Sequence, residues 1–158
     1  MPKKRSVPLT TAQIGRSGEL LVQYFLLLRG VESAPMSTDS GIDLVAYSPK
    51  LREPTTIQVK TNHKPKPAGG KGKAELGWWL PHESTAQLMA LVDLSLQRIW
   101  IFKTSEIPGV AQQKSKSQYH LSMYTDPTVR PRRAGRLAHA HEFGRYLLEN
   151  RAHELFGI

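Results

Sequence analysis

The chain contains no cysteine. A disulfide scaffold, a zinc ribbon and thiol catalysis are therefore excluded, and the absence fits a reducing compartment. Long apolar runs are also missing. The richest stretch, residues 20–28, is interrupted by Gln23 and followed by Arg29, well short of the roughly 20 apolar residues that span a bilayer. No apolar segment follows directly after Pro2-Lys3-Lys4-Arg5, so the opening does not read as a secretory signal. That basic cluster could serve as a nuclear address in a eukaryote, although a plain basic tail is the simpler reading. The expectation is a soluble, cytoplasmic protein, nucleoid-associated in a bacterium or archaeon, with no membrane partner. Acidic residues are scarce as well: 13 Asp and Glu stand against 22 Lys and Arg, for a formal net charge of +9 and a pI near 10.0. Such an excess favours polyanions, chiefly nucleic acid, and is silent on chemistry.

What is present fits one domain of 158 residues, long enough to bury a core unaided. Residues 1–9 read as a basic N-terminal arm and residues 10–158 as a single domain. Thr10 and Gln13 have capping-box spacing, which predicts a helix from there to about Arg29, ended by Gly30. Its apolar set includes Ile14, Leu21, Phe25 and Leu28. Short strands are expected at 31–34 and 43–47, with turns at 37–41 and 48–54. The β-branched run at 55–61 reads as a central strand.

Residues 62–77 differ from their surroundings. They carry Lys64, Lys66, Lys71 and Lys73, two prolines, four glycines and the single acid Glu75, and read as a flexible basic loop. A short strand is predicted at 78–80, a helical turn within 81–87 and a hairpin from 88–94 and 98–103. A short helix at 104–110, a strand at 117–124, a second basic segment at 130–136 and a final helix at 137–156 complete the chain. Phe143, Leu147 and Leu155 are expected on one side of that last helix. Helices flanking consecutive apolar strands point to an α/β fold with a mixed central sheet.

The chemistry concentrates in Ile57-Gln58-Val59-Lys60. Alternate side chains of a strand share a face, so Gln58 and Lys60 point one way and Ile57 and Val59 the other. Lysine is seldom fully buried without a partner. Asp43, at the start of the preceding strand, can supply that partner if the two strands pair, and Glu19 on the first helix can supply a second. Gly15 and Gly18 leave room for that helix to approach a sheet or a phosphate backbone closely. Carboxylate, amide and main-chain carbonyl oxygens are hard ligands suited to magnesium or manganese.

Glu19, then Gly41-Ile42-Asp43, then Gln58-Val59-Lys60-Thr61 resembles the PD-(D/E)xK nuclease superfamily, which includes restriction enzymes, Holliday-junction resolvases and some homing endonucleases. The motif resemblance covers about residues 10–61, and the later hairpin agrees in order. It implies a restriction-endonuclease-like core and a metal-dependent DNA endonuclease. Asp43 would be the central ligand of Mg2+ or Mn2+, with Gln58 and the Val59 carbonyl beside it. Glu19 would be a direct or water-mediated ligand. Lys60 would orient the attacking water and stabilise developing charge. Two features depart from the family pattern. Gly41-Ile42-Asp43 lacks its proline, and Gln58 stands where a carboxylate is usual, so the ligand brings no negative charge.

Lys64, Lys66, Lys71 and Lys73 form one expected set of phosphate contacts, and Arg130, Arg132, Arg133 and Arg136 the other. Cutting two strands with one site per chain calls for a homodimer or higher homo-oligomer. Blander readings stand beside these. Glu19 could pair with Arg16 or Gln23 on the helix surface. Gly69-Gly70-Lys71-Gly72-Lys73 is not followed by Ser or Thr and reads as a loop rather than a phosphate cradle. His139 and His141, two apart on an expected helix, do not make a metal pair. Of Trp78 and Trp79, one belongs in the core and the other could stack on bases. The alternatives to an endonuclease are a catalytically inactive DNA-binding module on the same fold, or an RNA-binding or RNA-processing protein.

Overall fold

A computed structural model describes residues 6–38, 40–132 and 135–158. The basic cluster at Pro2–Arg5 and the candidate contact Arg133 lie outside them. The first helix, α1, spans Thr11–Leu27. Thr10 Oγ1 accepts the Gln13 amide at 3.1 Å and Gln13 Oε1 accepts the Thr10 amide at 2.9 Å, closing the anticipated capping box. Gly18, Val22 and Leu26 are its buried residues, four apart and so on one stripe. Gly30 takes φ +79° and the Val31 amide returns to the Leu26 carbonyl at 3.0 Å, which turns the chain into the sheet.

The strands β1 (Glu32–Pro35), β2 (Leu44–Tyr47), β3 (Thr55–Asn62), β4 (Lys66–Pro67), β5 (Ala74–Pro81), β6 (Leu88–Asp93) and β7 (Arg98–Lys103) follow. Then come a short helix α2 (Ile107–Val110), β8 (Gln113–Lys114), β9 (Gln118–Tyr124) and the closing helix α3 (Leu148–Phe156). One sheet has the order β1-β2-β3-β6-β7 and a second the order β4-β5-β9-β8. β3 and β6 run parallel while the other neighbours in the first sheet are antiparallel. The sheet is therefore mixed and flanked by helices, as expected.

The second sheet lay beyond the sequence reading. It covers one face of the first, and α1 and α3 cover the other. All six residues of β6 are buried, because this strand is covered on both faces, and that accounts for its unbroken apolar sequence. Leu88, Ala90 and Val92 meet Ile57, Val59, Val22 and Leu26 on the helix side. Met89 and Leu91 meet Leu76, Trp78, Trp100 and Phe102 on the sheet side. Removing Leu26 down to alanine would cost about 2–5 kcal/mol.

Three local expectations are corrected. Residues 62–77 are not a continuous loop. Lys66 pairs with Glu75 and Pro67 with Ala74, so a hairpin forms and β5 begins well before Trp78. Its strand character comes from pairing with β9 along Glu75–Pro81, which overrides the local glycines and prolines. Residues 82–87 form no helical turn; their side chains instead bond to β3 and its neighbours. The final helix is broken. A tight 3-10 segment, Ala140–Tyr146, precedes α3, and Leu147 between them is extended (φ −55°, ψ 139°), where it bridges Trp100 of β7. Arg151 fixes α3 by donating to the Ile101 carbonyl at 3.1 Å and to Glu106 at 2.6 Å. No helix among the described residues is long and apolar enough to cross a membrane.

Candidate active site

Asp43 sits one residue before β2, whose last pairing with β3 is Leu44 with Ile57. The Asp43 amide donates to the Ile57 carbonyl at 2.9 Å. Its Oδ2 then accepts the Val59 amide at 2.7 Å, so the side chain takes over where the main-chain ladder stops. This has a consequence for Val59. The N–H and C=O of one strand residue project to the same edge. The Val59 carbonyl therefore faces the edge that β2 has left, beside the Asp43 carboxylate, rather than entering the ladder with β6.

Gln58 and Lys60 share the opposite face of β3 from Ile57 and Val59, as alternation requires. Gln58 is only 8 % exposed, and its Oε1 accepts the Ser84 hydroxyl at 3.1 Å. Lys60 is half-buried. Asn62, next in the row, donates to the Gly77 carbonyl of β5 at 2.8 Å. The contacts Gln58–Ser84 and Asn62–Gly77 thus hold β5 and its following loop beside β3 and bracket Lys60. The same loop is tied down by Thr85 Oγ1 to the Ser40 carbonyl at 3.4 Å and by reciprocal bonds between Gln87 and Thr56 at 3.0 Å. Ser84 carried no signal in the sequence; its role depends on a contact 26 residues away.

Asp43, Gln58, Val59 and Lys60 are therefore brought together by the β2–β3 register. α1 packs on the Val59 face of β3, so closely that a Cβ on Gly18 would lie 1.8 Å from Thr61 Oγ1. Glu19 belongs to that helix layer, whereas Gln58 and Lys60 point away from it. Its carboxylate pairs with Arg16 at 3.0 Å, which is the helix-surface alternative read from the sequence. Among the described residues, no three His, Cys, Asp or Glu side chains form a group that could hold a metal ion. An ion here would rest on one carboxylate, Asp43, with the Gln58 amide and Val59 carbonyl as neutral donors. That set suits a magnesium ion that keeps several waters and takes further oxygens from a phosphate.

The two basic segments, separate in sequence, meet in space. Lys66 lies on β4, and Lys71 and Lys73 lie in the hairpin turn before β5. β5 pairs with β9, and the segment bearing Arg130 and Arg132 follows β9. Charge coupling links Lys73 with Asp126 and Arg132 with Glu75. Burial pushes the Glu75 carboxyl above its ordinary range, and Arg132 opposes that rise. Lys64, Lys66, Lys71, Lys73 and Arg132 are exposed. Arg136 differs, since its Nη1 donates to the carbonyls of Gly109 and Ala111 at 3.0 and 2.9 Å, a tie within the fold.

Of the two tryptophans, Trp78 is the core residue at 3 % exposure and Trp79 is 51 % exposed. The His139 ring lies 5.5 Å from that of His141 between centroids, although their spacing predicts different helix faces, and both nitrogens of His139 are engaged elsewhere. Its Nδ1 lies 2.5 Å from Glu142 Oε1 and its Nε2 lies 2.6 Å from the Val129 carbonyl.

The fold is similar to that of a homing endonuclease. The solved structure of the bacterial homing endonuclease I-Ssp6803I superposes with a TM-score of 0.58 over 94 % of this chain and 92 % of that one, at 14 % identity. No family model and no curated protein matches the sequence. A likeness at that identity shows a shared fold, a mixed sheet with flanking helices.

Proposed function

We propose that this protein is a metal-dependent DNA endonuclease of the Gln-x-Lys variant of the PD-(D/E)xK pattern. The observation that carries the reading is the convergence of Asp43, Gln58, Lys60 and the Val59 edge at the point where β2 leaves β3, in a fold similar to that of a homing endonuclease. When bound, Mg2+ or Mn2+ would polarise the scissile phosphate and lower the pKa of a coordinated water. Asp43 would hold it with the oxygen not taken by the Val59 amide, and Gln58 and the Val59 carbonyl would complete the protein's share. Lys60, fixed between the Gln58–Ser84 and Asn62–Gly77 contacts, supplies a preorganised cation for the attacking water and for the charge that develops on phosphate oxygens. Lys64, Lys66, Lys71, Lys73, Arg130 and Arg132 supply backbone contacts to DNA, which give affinity without sequence information. Homodimerisation belongs to the same proposal. Leu20, Tyr24 and Leu27 of α1 and its C-cap Leu28 are exposed at i, i+4, i+7 and i+8, one helical face, and that row fits a second copy.

The donor set also gives weight to the silent DNA-binding alternative, since Gln58 brings no charge and Glu19 is tied to Arg16. A manganese titration followed by calorimetry, in the presence of DNA, separates the two. The endonuclease reading predicts a site lost in Asp43→Asn, a variant that can still accept the Val59 amide. Equal manganese binding by both proteins would favour the silent module.

A further inference from the structure

The outward face of β5 and β9 carries side chains that the proposed reaction does not use. Trp79 and His120 are register partners across the two strands, and their rings lie 4.3 Å apart between centroids at 38°. His120 in turn leans over Gly77, where a Cβ would come within 3.0 Å of its Nε2. A Cβ at that position would press the imidazole out of its present seat by a few tenths of an ångström. One face of the indole is thus backed by a seated ring while about half of the residue stays open to solvent. A tryptophan left exposed on a strand but buttressed from behind is a flat, rigid surface of low conformational entropy.

The surroundings select what can lie on it. Gln113 pairs with His120 on the flanking strand and is exposed, an amide within the same row. Two positions further along the same face, beyond Gly77, Glu75 pairs with Lys66, with Arg132 coupled to Glu75. Burial lowers the His120 ring's pKa, and Lys66 and Arg132 bring positive charge further along the same face. An exposed indole backed by a second ring, with an amide beside it and cations further along the face, matches a nucleobase on its phosphate backbone. Trp79 also lies between Gly77 and Ser84, the two points where β5 and its loop are tied to the Gln58–Lys60–Asn62 row.

We infer that Trp79, backed by His120, is a stacking site for an unpaired nucleobase, so that the DNA taken by this protein is distorted, branched or single-stranded near the point of cutting. This inference rests on the endonuclease reading for the identity of the polymer but not on cleavage. A base inside an intact duplex has both faces covered by its neighbours, and only an extruded or unpaired base can reach the indole.

Tryptophan emission tests it directly, since Trp79 is the exposed one of the three and Trp78 and Trp100 are buried. The full chain, in EDTA to prevent cleavage, is titrated with a matched 20-mer duplex and with the same duplex carrying one extrahelical adenine. The wild type is expected to bind the bulged duplex more tightly and with deeper quenching. In Trp79→Leu the preference for the bulge should fall about tenfold, and Trp79→Phe should recover part of it. Residual emission from Trp78 and Trp100 reports whether each variant has folded. Equal quenching by both duplexes, or an unchanged preference in folded Trp79→Leu, overturns the inference. Because the readout is binding, loss of the stacking site is distinguishable from absence of nuclease activity.

Discussion

One oxygen of Asp43 is committed to the Val59 amide at 2.7 Å, which leaves the other for a cation. Substitution here has two effects that can be separated. Asp43→Ala removes charge and both acceptors together, while Asp43→Asn keeps an acceptor for the Val59 amide and replaces the free oxygen by an uncharged NH2 donor. Both should lose cleavage and keep salt-sensitive DNA binding. Lys60→Ala should lower the cleavage rate by about a hundredfold or more, measured in single turnover with manganese. Gln58→Glu should act in the other direction. Ser84 can still donate to a carboxylate, and an added negative ligand should tighten manganese binding about tenfold; no change in that affinity would remove Gln58 from the donor set. Gly18 makes a purely structural prediction. Its Cβ would collide with Thr61, so Gly18→Ala should lower stability by about 1–3 kcal/mol, and adding Thr61→Ala should restore part of it. Denaturant midpoints of the two variants check this.

The segment between β9 and α3 is held through His139. Its two ring nitrogens face a carboxylate and a carbonyl, both acceptors, so the doubly protonated ring suits both at once. The Glu142 bond is the largest cause of its raised pKa; burial opposes the rise, and the Val129 carbonyl, Glu142 and Asp126 add to it. Glu142 is correspondingly lowered, first by its bond to His139. The signs follow by linkage. The His139 contribution is fully present below the ordinary histidine value of 6.5 and fades as pH rises through the higher native value. The Glu142 contribution is present above 4.5 and fades as pH falls through the lower native value. Both act together between those limits. His139→Gln should therefore cost more stability at pH 5.5 than at pH 9, read as the difference in Tm from wild type. A cost independent of pH would mean that the ring serves only as packing.

Legibility from sequence was uneven at this scale for physical reasons. α1, β3 and the β6–β7 hairpin announce themselves through a capping box, a β-branched run and paired apolar stretches. β5 does not, because its pairing with β9 spans some 40 residues of chain and local glycines and prolines argue against it. The broken end of the last helix was hidden in the same way, since Leu147 is extended by a bridge to Trp100. Asp43, Gln58 and Lys60 were legible because a two-residue period and one strand pairing suffice to gather them.

For the whole molecule, the charge of +9 gains a direction from the β5–β9 pairing, which brings Lys66 and Lys73 of the hairpin near Arg132 beyond β9. Changing Lys64, Lys66, Lys71 and Lys73 together to serine should weaken DNA binding and reduce the magnitude of the log-affinity against log-salt slope by about 3–4. An unchanged slope would remove the hairpin from the interface. If α1 joins two copies, Leu20→Glu with Leu27→Glu should shift sedimentation from dimer to monomer. The central claim, however, is that the edge where β2 leaves β3 cuts DNA. Nicking of supercoiled plasmid and of a four-way junction, with magnesium or manganese and with EDTA, beside Asp43→Asn, tests it most directly. Metal-dependent cleavage of either DNA by the wild type, abolished in the variant, is the predicted result. Cleavage that survives in Asp43→Asn, or its absence from both substrates with either metal, would contradict it.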